Sequence, residues 1–246
     1  SRLTSRHAVR RARLLFTVSA FSQHEISRLY RIDIDRITIT TNGIDTGRFH
    51  PGPEGVEHVQ AAGLAPGRYL CTVGRLEPRK NHLNLLRAYA LLPQPRLPLA
   101  VVGQRDFQSD PIFDEVRQLG LESEVHFLES VPDQSLPALI RHAAVFIYPS
   151  YAEGFGMPVA EAMASGVPVV TSNTTSLPEV AGTAAVAVDP DSPQQIAAAI
   201  RTLLESESAR AAAVERGLRQ SERFSWERAA SALVSALRDH FKLDRH

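Results

Sequence analysis

The chain has 246 residues, 43% hydrophobic and 22% charged, an ordinary globular mix long enough for one large domain or one and a half. Its 27 basic and 27 acidic side chains balance, so no global field points to nucleic acid or to a membrane. One cysteine, Cys71, excludes an intrachain disulfide; no signal-peptide pattern and no apolar run of about 18 residues is present, and a cytoplasmic setting is expected.

The opening, Ser1-Arg2-Leu3, has no initiator Met and reads as part of a longer protein. Residues 1–36 hold eight arginines against Glu25, Asp33 and Asp35, a local surplus of five positive charges. Residues 2–13 read as a basic helix, 14–19 as a strand, 22–30 as a helix and 36–41 as a second strand before the Asn42-Gly43 turn. Such a short β-α-β piece cannot bury a core of its own. It reads as the tail of a preceding domain, residues 1–45, ahead of a main domain over 46–246. Residues 45–67, with Pro51, Pro53 and Pro66, read as the linker and entry to that domain.

From residue 69 the pattern alternates. Short, nearly all-apolar runs fall at 69–74, 97–103, 125–128, 144–148, 167–171 and 184–188, as strands buried on both faces require. Helical stretches lie between them, at about 82–92, 111–120, 134–143, 157–165 and 177–181. This predicts an α/β fold, a Rossmann-like parallel sheet with helices on both faces. The last third is helical: Ile196, Ile200, Leu203 and Leu204 share a face behind a cap at Asp191 or Ser192. Ser225 caps a final helix whose Trp226, Ala230, Leu233, Leu237 and Phe241 form an apolar stripe.

Familiar chemical motifs are scarce. The chain has no G-x-x-x-x-G-K-[ST] loop and no G-x-G-x-x-G after a strand. His24-Glu25 lacks the second histidine of a zinc motif. Asp33-Ile34-Asp35 and Asp189-Pro190-Asp191 are D-x-D patterns, best read as turn and capping acids. Asn173-Thr174-Thr175 is a glycosylation sequon read as chance, and Cys71 is read as a small core residue.

Three constellations remain, each after a strand, at the carboxyl edge where open α/β sheets bind ligands. Gly74-Arg75-Leu76-Glu77-Pro78-Arg79-Lys80-Asn81 offers a glycine for close backbone approach and two cations, Arg75 and Lys80, suited to phosphates. It reads equally well as a solvated basic loop. Glu153-Gly154-Phe155-Gly156-Met157-Pro158 opens a helix whose free amides and dipole favour a phosphate or an electron-rich oxygen. Glu153 precedes that helix and Glu161 sits in its second turn, so the two carboxylates address different ends of an elongated ligand. Val170-Thr171-Ser172 with Leu177-Pro178-Glu179-Val180 is structural on its own.

Glu153 and Glu161, with seven residues between them, resemble the E-x-seven-E pattern of retaining GT-B glycosyltransferases of family four. The segment Ile39–Asp45 with Phe49 and Pro51, the Gly74–Asn81 loop, the stretch 149–170, Leu177–Val180 and Ser225-Trp226 follow in that family's order, over about 200 residues. The wording of 76–81 and 172–179 is most similar to bacterial polysaccharide mannosyltransferases.

The resemblance implies the donor-binding half of such an enzyme. Arg75 and Lys80 would neutralise the diphosphate leaving group, with Glu153 on the hydroxyls of the transferred sugar. Glu161 would bind the ribose and Val131 the base through its backbone. Gly74, Gly154, Phe155, Gly156, Met157 and Pro158 would complete the donor site. The implied reaction moves a hexose, with retention, to a glycan or lipid-linked saccharide, without cofactor or metal. GDP-mannose is the favoured donor, with UDP-glucose or UDP-N-acetylglucosamine as alternatives. The acceptor site would lie in an N-terminal domain of which only residues 1–45 are present, leaving the chain inactive alone. The basic helix 2–13 is either a solvated helix of that domain or a peripheral contact with the inner face of the cytoplasmic membrane. The competing class is a nucleotide-sugar binding module or an epimerase-like protein without transfer.

Overall fold

The computed structural model describes residues 2–241, with side chains from residue 5. Helix α1 (Arg2–Arg11) leads into a small parallel pair, β1 (Leu15–Thr17) and β2 (Ile37–Ile39), joined through α2 (Ala20–Tyr30). Ser19 caps α2 by accepting from Ser22 N, which sets that helix two residues earlier than the sequence pattern suggests. Asp33 caps a single 3-10 turn, the modest role expected of it.

Residues 45–67 are more than a linker. They contain α3 (Val56–Ala61), and Phe49, Val59 and Leu64 are buried in the main core. The prolines hid this: Pro51, Pro53 and Pro66 bracket a helix too short to show a period in sequence.

The main sheet follows in chain order: β3 (Leu70–Val73), α4 (His82–Ala90), β4 (Leu99–Val102), α5 (Asp110–Leu119), β5 (Val125–Leu128), α6 (Leu136–Arg141), β6 (Val145–Tyr148), α7 (Met157–Ala164), β7 (Val169–Ser172), α8 (Leu177–Ala181) and β8 (Val186–Val188). All pairings in this sheet are parallel, in the order β5-β4-β3-β6-β7-β8. Apolar residues cover both faces. Tyr69, Cys71, Phe146, Val159 and Met163 belong to one cluster, and Leu70, Leu85, Val145, Ile147 and Ile200 to the other. Truncating any of these fully buried aliphatics to Ala costs about 2–5 kcal/mol, which is why the strand runs read as continuous apolar stretches. Burial also pushes the Cys71 thiol well above its ordinary range, consistent with a core residue.

Three helices close the chain. Ser192 caps α9 (Pro193–Glu205) through Gln195 N, and α10 (Glu207–Ser221) packs across α7. Ser225 Oγ accepts from Arg228 N at the start of α11 (Trp226–Phe241). The stripe on α11 stays open to solvent, with Trp226 60% and Phe241 47% exposed. No helix among the described residues is long and apolar enough to cross a membrane.

The sheet order has a consequence for function. After β5 at one edge the chain returns to the middle, so β6 lies beside β3. The loops leaving β3 and β6 therefore open next to each other at the topological switch point, where such sheets hold ligands.

Candidate functional site

At that switch point the first two constellations become one site. Lys80 Nζ donates to Glu153 Oε1 at 2.7 Å and to Tyr148 Oη at 2.5 Å. Glu153 Oε1 also accepts from Tyr148 Oη at 2.9 Å and from Ser150 Oγ at 2.8 Å, and Arg79 Nη1 lies 2.9 Å away. The Lys80 and Glu153 side chains are only 13% and 10% exposed. Burial by itself would raise the Glu153 pKa, but Lys80, Ser150 and Tyr148 outweigh it and hold the carboxyl below its ordinary value. The pair is therefore an ionised one in a half-dry setting. Losing one partner is expensive there, because the other charge stays buried.

Arg75 stands apart. It leaves the same loop but is 58% exposed, with Asp106 of the β4–α5 loop 3.6 Å from its Nη1. The structure thus brings Lys80 to Glu153 and ties Arg75 to the neighbouring loop.

The turn into α7 is set by glycine. Gly156 has φ +107°, where a side chain is strained, and a Cβ there would fall 2.6 Å from Leu177 Cδ2, so any other residue must displace that side chain. Met157 and Pro158 form the first turn of α7. Phe155 is buried edge-on against Phe224, with ring centroids 5.3 Å apart, so its ring is committed to the core. Among the described residues no protein acceptor takes the amides of Gly154, Phe155, Gly156 or Met157. That leaves them available to an anion or a sugar oxygen at a helix start.

The third constellation frames this loop. Thr175 Oγ1 accepts from Glu153 N, and Ser176 Oγ donates to the carbonyls of Glu153 and Phe155, both at 2.9 Å. Ser172 Oγ and Thr174 Oγ1 hold the Ser150 and Tyr151 carbonyls. Thr175 adopts φ +57°, a left-handed conformation unusual for a β-branched residue, so the frame carries backbone strain beside the site.

Glu161 projects from α7 with no hydrogen-bond partner for its carboxylate among the described residues. Burial pushes its pKa up to about 7; the Arg48 charge works against this and Asp133 adds to it. Arg48 itself donates to the carbonyl and carboxylate of Asp133, both at 2.8 Å. Asp133 follows Val131-Pro132, which line a cavity of about 410 Å³ with His58, Ala61, Ala62, Ser130, Ser135 and others. Ser135 Oγ and His58 Nδ1 are 3.0 Å apart and are its polar pair in a mainly apolar lining. Asp133, whose charge acts on Glu161, thus stands two residues after Val131 in the chain.

Sequence reasoning missed Tyr148, Ser150 and Arg79 as partners of Glu153, and His58 as a cavity wall. In sequence Tyr148 reads as one more apolar strand residue, and its place at the carboxyl end of that run is the one available signal. Asp189 and Asp191 meet in a local turn, Asp189 Oδ1 accepting from Asp191 N at 2.9 Å.

Residues 59–220 match the glycosyl transferases group 1 family. The chain is 42% identical over 229 residues to the O-antigen chain mannosyltransferase B of Escherichia coli, covering 92% of this chain and 60% of that protein. It is 28% identical to a D-inositol 3-phosphate glycosyltransferase of Corynebacterium glutamicum, over 97% of this chain and 60% of the relative. The chain therefore spans about three fifths of the length of these relatives. In fold it is similar to Anabaena Alr3699/HepE, solved with UDP and glucose, with a TM-score of 0.88 and 24% identity over 97% of this chain and 66% of that one.

Proposed function

This chain belongs to the glycosyl transferases group 1 family, and on that footing we propose that it binds the nucleotide-sugar donor of a retaining hexosyltransferase. The favoured donor is GDP-mannose and the acceptor a glycan or lipid-linked saccharide. Residues 1–45 are proposed to belong to the acceptor-side half and 46–246 to the donor half. One observation carries the reading: Lys80, Val131 and the free amides of 154–157 follow the carboxyl ends of β3, β5 and β6, parallel strands of one sheet, and Glu161 lies in the helix that β6 leads into.

The proposed pose follows from chemistry. The base enters the cavity beside Val131 and the ribose hydroxyls donate to Glu161. The diphosphate faces Lys80 and Arg75, and the sugar lies against Glu153 and the Gly154–Met157 turn. When the glycosidic C–O bond breaks, negative charge collects on the departing phosphate oxygen. Lys80, Arg75 and the amides at the start of α7 stabilise that charge more than they stabilise the intact donor, which is what accelerates the step. The acceptor hydroxyl attacks from the face the phosphate leaves, giving retention, and its proton passes to the phosphate oxygen. Cationic side chains do what a metal does elsewhere, so no metal or cofactor is invoked.

The exposed Arg6, Arg10, Arg11 and Arg13, on and just after α1, support peripheral contact with an anionic membrane at its cytoplasmic face. Liposome co-sedimentation that ignores anionic lipid content would remove that contact.

Transfer of labelled sugar from GDP-mannose and UDP-glucose, in the enzyme carrying its acceptor half, tests the main reading. We expect mannose transfer that falls by about 10²- to 10³-fold in Lys80→Ala. Unchanged turnover in that variant would overturn it, and sugar-nucleotide binding without transfer would favour a binding module.

A further inference from the structure

The donor turn is anchored from an unexpected side. Gly154 O accepts two serine hydroxyls from the N-terminal piece, Ser19 Oγ at 2.6 Å and Ser22 Oγ at 3.1 Å. Ser19 is also the α2 cap, accepting from Ser22 N at 3.0 Å, and it is buried. Glu179, on α8, grips the next two amides of α2: Oε2 takes Ala20 N at 2.8 Å and Oε1 takes Phe21 N at 2.6 Å. A carboxylate at a helix N-terminus is favoured both by the free amides and by the helix dipole. The seam joins residues more than 130 positions apart in sequence.

A trans peptide is planar, and its C=O and N–H point in opposite directions. With the Gly154 carbonyl drawn toward Ser19 and Ser22, the Phe155 N–H must face the other way. That amide has no protein acceptor among the described residues. Glycine on the carbonyl side leaves the unit free to turn unless something holds it. The serines are that hold.

We propose that Ser19 and Ser22, kept in register by Glu179, are positioning residues that fix the Gly154–Phe155 peptide so that Phe155 N–H is presented to the diphosphate-sugar part of the donor. This rests on the donor-site reading above. It makes the donor turn responsive to the N-terminal piece: whatever displaces α2 releases the Gly154 carbonyl and lets the amide swing away.

The test compares ligands that differ in reach. Calorimetric titrations of GMP and GDP-mannose, and of UMP and UDP-glucose, are run on the unaltered chain and on Ser19→Ala/Ser22→Ala, Glu179→Ala and Glu179→Gln, with melting temperatures alongside. In whichever nucleotide series binds, the double serine variant should weaken the sugar nucleotide at least tenfold and leave the monophosphate within twofold. Glu179→Ala should act in the same direction and Glu179→Gln, which keeps an acceptor oxygen, should recover much of the loss. Equal weakening of monophosphate and sugar nucleotide, tracking the melting temperature, marks a merely structural seam and overturns the proposal. So does sugar-nucleotide affinity unchanged in all three variants. If no nucleotide binds the unaltered chain, the donor-site reading falls and this proposal falls with it.

Discussion

Lys80 Nζ and Glu153 Oε1, 73 residues apart in sequence, meet at 2.7 Å because β3 and β6 are neighbours in the sheet. Two loops that sequence could only treat separately are one site through this contact. In the free chain the cation proposed for the diphosphate is engaged by the carboxylate proposed for the sugar.

The pair should therefore behave as a unit. Lys80→Ala strands the Glu153 carboxylate with Tyr148, Ser150 and Arg79 as remaining partners, and is expected to cost about 1–3 kcal/mol of stability. Adding Glu153→Gln should return part of that loss. A double-mutant cycle by denaturant unfolding checks it, and strict additivity of the two changes contradicts a coupled pair.

Glu161 gives a pH signature. Its folded pKa of about 7 lies above the ordinary 4.5, so the folded chain holds a proton that the unfolded chain has released. Stability on this account falls as pH rises from about 4.5 to 7 and stays low above that window. Glu161→Gln should raise the melting temperature at pH 8, by a stability gain on the order of 1 kcal/mol after allowing for its partial exposure. The proposed ribose contact needs the ionised form, so donor affinity should increase through pH 7 and lose that dependence in Glu161→Gln. Melting curves and titrations at pH 6 and 8 read both effects together.

Gly156→Ala tests the turn. It puts a side chain at φ +107° and a Cβ 2.6 Å from Leu177 Cδ2. A loss of more than about 1 kcal/mol is expected, since alanine is strained wherever φ is positive. Full stability in urea titration would show that the turn relaxes freely.

Filling the Val131 cavity separates base binding from the rest. Ala62→Phe projects into the 410 Å³ space beside His58 and Val131. Nucleotide affinity should fall at least tenfold with the melting temperature held or raised, read by titration and thermal scan.

The parallel sheet and most helices were legible because continuous apolar runs alternate with helical periods, and because Ser192 and Ser225 mark helix starts. The turn into α7 was legible because Gly154, Gly156 and Pro158 fall together after a strand-like run and before a helical one. What stayed hidden depends on strand order and distant contacts. Tyr148 looks like any apolar strand residue until β6 is placed beside β3. Glu179 looks like a surface acid on a short helix until α2 arrives at its carboxylate. Segment 45–67 looked like a linker because its six-residue helix α3 is too short to show periodicity.

The most direct test is a crystal structure of the chain with GDP-mannose or, in parallel, UDP-glucose. The account predicts the base in the Val131 cavity, ribose oxygens within hydrogen-bond distance of Glu161, and a diphosphate oxygen on Lys80 Nζ with the Phe155 amide facing the donor. A nucleotide sugar seated away from the β3–β6 edge, with the Lys80–Glu153 contact untouched, would contradict it.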